Sequence, residues 1–100
     1  MKTFVIRRRN AWKSPQELEA TAARSRKIGD SEMSHMVRWI RSYVVTEADG
    51  TLGTVCIYQG ISPEAIREHA QRVGMPADEI TPVAATVIVR ADPQEVAKAA

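Results

Sequence analysis

One hundred residues hold a single cysteine, two histidines and one phenylalanine. Each scarcity excludes something. Cys56 alone cannot form an internal disulfide, and it argues against a thiolate zinc site. A lone free thiol is compatible with a reducing compartment. No apolar run approaches the length that a membrane-spanning helix needs. The stretch Lys2 to Arg9 has too short an apolar core for a secretory signal, so a cytoplasmic location is the expectation. No Gly-x-Ser-x-Gly element appears. No nucleotide-binding glycine loop appears either, because Gly50-Thr51-Leu52-Gly53 reads as a hairpin turn. The histidines form neither an HxH nor an HxxxH pair, so no local metal motif stands out.

Charge is nearly balanced at +2, but it is unevenly spread. Residues 1–45 carry ten Lys/Arg and four Asp/Glu, whereas residues 46–100 carry four and eight. The run Arg7-Arg8-Arg9 admits a nucleic-acid reading, since clustered cations release phosphate counterions. With so few aromatics and no aromatic–basic interleaving, a base-stacking platform is not expected. The run reads as a strand end with solvated arginines, and neither a nucleic acid nor a membrane is an expected partner.

Alternation of Phe4 and Ile6 with Val5 and Arg7 predicts a first strand over Lys2 to Arg8. Ser14-Pro15-Gln16-Glu17 is a helix start, with a capping serine, a first-turn proline and a capping-box glutamate. That helix should run to about Ile28, turn Leu18, Ala22, Ser25 and Ile28 inward, and end at Gly29. Asp30 to Met36 reads as a polar link. Val37 to Thr46 is β-branched and aromatic and predicts strand two. Asp49-Gly50 signals a tight hairpin into strand three, Gly53 to Gln59. Ser62-Pro63-Glu64 repeats the helix-start signature, and Gly74 followed by Pro76 stops that second helix. Glu79 to Val89 predicts strand four, with Pro82 marking an edge or bulge. Asp92-Pro93 can start a last helical turn before a frayed end.

The order is βαββαβ, an α+β arrangement of the ferredoxin-like type. Both helices should cover one face of a four-stranded antiparallel sheet. We expect one domain over residues 1–90 and a tail over 91–100. A two-residue turn at Asp49-Gly50 would set Tyr43 opposite Cys56 and Arg41 opposite Tyr58. Trp39, Arg41, Tyr43, Val45, Thr54, Cys56 and Tyr58 then share the bare face. Ile40, Ser42, Val44, Val55, Ile57 and Gln59 pack under the helices. A bare face rich in Trp, Tyr and Arg suits a homodimer, because monomers rarely expose large apolar patches.

His69 is the residue that most demands explanation. It lies on the stripe Ile66, His69, Ala70, Val73, which the second helix turns toward the core. There it is either a neutral imidazole bonded to a backbone carbonyl, Ser25 or Ser42, or a ligand or general base at a cavity between helices and sheet. His35 reads as a loop histidine that would need His69, Cys56 or carboxylates to build a metal site. Cys56 packs as a small hydrophobe by default, and it is nucleophilic only beside a cation such as Arg41. Tyr43 and Tyr58 flank it as interface groups or as donors lining a pocket.

Four fragments carry a resemblance. They are Val37-Arg38-Trp39-Ile40-Arg41-Ser42-Tyr43-Val44, Cys56-Ile57-Tyr58, Glu64-Ala65-Ile66-Arg67-Glu68-His69-Ala70 and Gly74-Met75-Pro76-Ala77-Asp78. In order and spacing they resemble a bacterial family of small ferredoxin-like proteins of undefined function, described as nickel-binding. The resemblance covers roughly residues 3–90. It implies the same βαββαβ fold, a dimer and nickel binding. Beside the residue reading, it gives a binding protein for a small ligand or a divalent metal such as nickel. Ligand-binding candidates are His69, Tyr43, Cys56, Tyr58, Trp39 and Ser25, with His69 and His35 as metal donors. The alternative, by fold analogy, is a cofactor-free oxygenase or isomerase with His69 as general base.

Overall fold

The computed structural model describes residues 1–93. The chain runs β1 (Lys2–Trp12), α1 (Pro15–Lys27), a π-helical turn (Ile28–Glu32), β2 (Val37–Thr46), β3 (Leu52–Gly60), α2 (Pro63–Val73) and β4 (Glu79–Pro82). The four strands form one antiparallel sheet in the order β2-β3-β1-β4. This is the expected ferredoxin-like α+β fold. The core lies between the sheet and the helices and includes Phe4, Ile6, Met33, Val37, Tyr58 and Ile66.

Local chemistry sets the element ends. Ser14 Oγ accepts the Glu17 amide at 3.2 Å, and Glu17 reaches back to the Lys13 amide at 3.0 Å. The capping-box contact thus lands one residue earlier than its usual partner. α2 starts with Ser62 Oγ accepting the Ala65 amide and ends at Gly74, whose φ of 86° is left-handed. Gly29, by contrast, does not end α1. The chain continues through it into the π turn, where the Met33 amide bonds to the Ile28 carbonyl. That wider turn lets Met33 reach the core, so burial outweighs the glycine's stop signal.

The hairpin corrects the expected faces. Thr46 pairs with Leu52, and the Glu47 amide bonds to the Thr51 carbonyl, so the loop is Ala48-Asp49-Gly50. Gly50 has φ 87°, as the left-handed position of a three-residue loop requires. One extra loop residue shifts the pairing by one. Tyr43 faces Val55 and Ser42 faces Cys56, rather than Tyr43 facing Cys56. A bulge then absorbs Ile40 between the pairs Trp39–Tyr58 and Arg41–Ile57. Thr54, Cys56 and Tyr58 therefore lie buried under the helices, as do Val37 and half-buried Trp39. Arg41 and Tyr43 stay on the open face.

Two further expectations change. β4 stops at Pro82, which cannot donate to a ladder, and after one more bond, from the Val83 amide to the Thr3 carbonyl, the chain leaves the sheet. It runs back along the open face, where Asp92 accepts the Tyr43 hydroxyl at 3.0 Å and Arg41 Nη1 at 3.2 Å. Val87, Ile88 and Val89 on this segment are exposed. The arginine run is not uniformly solvated either. Arg7 pairs with Glu47 and Arg9 with Glu79, but Arg8 is buried beside the core. The helical turn expected after Pro93 lies outside the described residues. Among the described residues no helix is long and apolar enough to cross a membrane.

Candidate functional site

α2 buries Ala65, Ile66, His69, Ala70 and Val73, a single face of an eleven-residue helix with a cap at each end. His69 is 1% exposed. Its Nε2 lies 3.1 Å from the Ser25 backbone carbonyl. A carbonyl only accepts, so Nε2 carries the proton. In the neutral ring, Nδ1 then keeps a lone pair. Nδ1 is buried and has no hydrogen-bond partner among the described residues. Burial pushes the His69 pKa below its ordinary value. The Ser25 carbonyl works against that shift, and the Arg8 charge adds to it. The imidazole is therefore held neutral with a free acceptor.

Ser25 organises the neighbourhood. Its carbonyl holds His69, and its hydroxyl bonds the Tyr58 hydroxyl at 2.9 Å. The Tyr58 ring tilts against His69 with centroids 5.5 Å apart. On its other side Trp39 stacks nearly parallel at 6.1 Å. Burial raises the Tyr58 pKa, so its hydroxyl stays protonated. From Trp39 a hydrogen-bond chain runs along the sheet. Trp39 Nε1 donates to Ser42 Oγ, Ser42 to Cys56 Sγ, and Cys56 to Thr54 Oγ1.

A cavity of about 270 Å³ opens against this cluster. His69, Tyr58, Trp39 and Ser25 line it, together with Gly29 and Asp30 of the π turn and Arg41 of β2. Four of the six ligand candidates from sequence thus share one cavity. The register shift puts Tyr58 on the face of Ser42 and Val44, and the bulge at Ile40 brings Trp39 to the same face. Cys56 instead lines a second cavity under α1. Tyr43 sits on the opposite face of the sheet with Asp92. His35 is exposed in the turn before β2. Among the described residues no three His, Cys, Asp or Glu side chains converge as a metal cluster.

Sequence reasoning missed Arg8. It is 1% exposed, donates from Nη1 to the Pro76 carbonyl at 2.6 Å, and lies 5.7 Å above the Tyr58 ring. The signal was present in the alternation Phe4, Ile6, Arg8, which places all three on the helix-covered face.

Fold and cavity together define a small ferredoxin-like α+β domain with a histidine-bearing pocket between its helices and its sheet. The chain belongs to the family described as "Nickel responsive protein SCO4226-like", which matches residues 4–83. The solved structure of SCO4226 from Streptomyces coelicolor A3(2) is similar to it at 22% identity. That likeness has a TM-score of 0.67 and covers 85% of this chain and 99% of the other, which supports the fold. No curated protein matches the sequence.

Proposed function

We propose that this chain is a binding protein for a small ligand, with the His69 cavity as its site and a nickel ion as the leading ligand. The reading rests on one observation, the unpartnered Nδ1 of a buried, neutral imidazole beside a cavity. A neutral imidazole nitrogen is the usual histidine donor to nickel-type ions. The Ser25 carbonyl on Nε2 is the kind of outer partner that fixes a ligating histidine's tautomer. The family description is what favours nickel over other divalent ions.

The donor set in one copy is short. His69 offers one nitrogen, Asp30 offers a carboxylate on the same cavity, and no third donor converges among the described residues. One copy by itself therefore does not complete a nickel site. Under this reading the remaining donors come from water or from small molecules in solution. A second copy is a separate matter: it would dock on the open face of the sheet, where Tyr43 and the exposed segment Val87-Ile88-Val89 lie, across the sheet from the cavity. Isothermal titration of nickel into wild type and His69→Ala tests the assignment of His69. Wild type should bind, and the variant should bind at least about tenfold more weakly. Equal affinity in both removes His69 from the site.

The same lone pair supports a second reading, a cofactor-free oxygenase or isomerase in which His69 takes a proton. What favours it is the placement of His69 and Tyr58 on one cavity. Against it, the Tyr58 hydroxyl is already engaged by Ser25.

A further inference from the structure

Among the described residues Arg8 is a cation without a counter-ion. Its Nη1 is used by the Pro76 carbonyl, but Nη2 is buried with no partner, and Arg8 makes no ion pair among the described residues. Its flanking residues both have carboxylate partners. A buried charge without a partner is costly, because water no longer solvates it and nothing replaces the water.

This cation borders the second cavity, about 280 Å³ between α1 and the sheet. Trp12, Leu18, Ala22, Val44 and Met75 supply its apolar wall. Each hydroxyl oxygen on that wall already has a partner. Thr21 accepts Trp12 Nε1 and donates to the Glu17 carbonyl, Ser25 and Tyr58 bond each other, and Thr54 and Ser42 belong to the Cys56 chain. Glu19, exposed on α1, is the carboxylate among the cavity's lining residues. The cavity is thus largely apolar and is bordered by a guanidinium whose buried Nη2 has no partner among the described residues.

We propose that this cavity binds a small monocarboxylic acid, its carboxylate drawing the Arg8 guanidinium round toward the cavity and its apolar body lying between α1 and the sheet. A single cation suits a single negative charge. A phosphate would bring more acceptor oxygens than the wall has free donors for. The volume lies just under the usual range for ligand cavities, so the acid is short. The site is separate from the His69 cavity, although Tyr58, Trp39 and Ser25 border both.

Trp12 and Trp39 line the cavity, so tryptophan fluorescence can report occupancy. Hexanoate and benzoate should bind at least about tenfold more tightly than hexanol and benzyl alcohol, as a charge-assisted hydrogen bond predicts. Inorganic phosphate should not compete. Arg8→Met should abolish the preference for acid over alcohol. Ala22→Phe, which fills the cavity without touching Arg8, should abolish binding of both and keeps the test open should Arg8→Met not fold. His69→Ala should retain acid binding, which separates this proposal from the nickel reading. No binding of either acid, equal binding of acid and alcohol, or unchanged acid binding by Ala22→Phe would overturn it.

Discussion

The two faces of the sheet treat polar groups in opposite ways. On the open face the charges neutralise one another in or near solvent, as in Arg41 with Asp92, Arg7 with Glu47 and Arg9 with Glu79. Under the helices, Arg8 and His69 are buried, and each keeps one atom without a partner. Neighbouring arginines on one strand therefore live in different media. Period-two geometry puts Arg8 with Phe4 and Ile6, and Arg7 with Val5. The pairing on the open face makes it tolerant. The unmet bonding capacity under the helices is what both proposed binding sites rest on.

The largest expected effect tests whether stability lives under the helices. Ile66 is fully buried, and its side chain fills the space above Gly60, where an added Cβ would lie 2.8 Å from Ile66 Cδ1. Ile66→Ala should cost about 2–5 kcal/mol in urea unfolding. A loss below about 1 kcal/mol would mean that α2 is loosely seated, and the geometry of His69 would lose its support.

A smaller effect concerns pH. The folded-state pKa of His69 lies below its ordinary value of 6.5. Its contribution is therefore unchanged above pH 6.5. It turns unfavourable as pH falls from there through the folded value, because the unfolded chain takes up the proton first. Wild type should lose melting temperature on acidification below pH 6.5, and His69→Gln should lose less over the same interval. Parallel curves would show that His69 titrates alike folded and unfolded, which would contradict its burial.

His69 was legible because eleven residues with caps at both ends leave little freedom in the phase of a helix. The order of elements along the chain was legible for a similar reason, since turn and cap signals punctuate most of them. The faces of the hairpin were not. Asp49-Gly50 suits a two-residue loop, yet Gly50 serves a three-residue one, and that single residue inverts which side chains of β3 meet the helices, while Ser42 and Val44 stay on the expected face. The bulge at Ile40 is equally silent in sequence, and it carries Trp39 to the site. Arg8 was hidden by its neighbours, since a run of like charges suggests solvent even where alternation points inward. Gly29 misled in the reverse direction, because a π turn needs no stop.

The smallest effect within one copy is expected at Tyr43, and it decides what the open face is for. Its hydroxyl donates to Asp92 in solvent, so Tyr43→Phe should shift the unfolding free energy of an isolated chain by no more than about 0.5 kcal/mol. A dimer across this face would behave differently. Its melting temperature would rise with protein concentration, since association stabilises by mass action. Ile57→Lys, placing a charge beside Arg41 on the same face, would remove that dependence by like-charge repulsion. Melting curves over a hundredfold range of concentration separate the cases. A concentration-independent wild type would leave Tyr43 and Asp92 as a solvent-facing tether of the chain's last described segment.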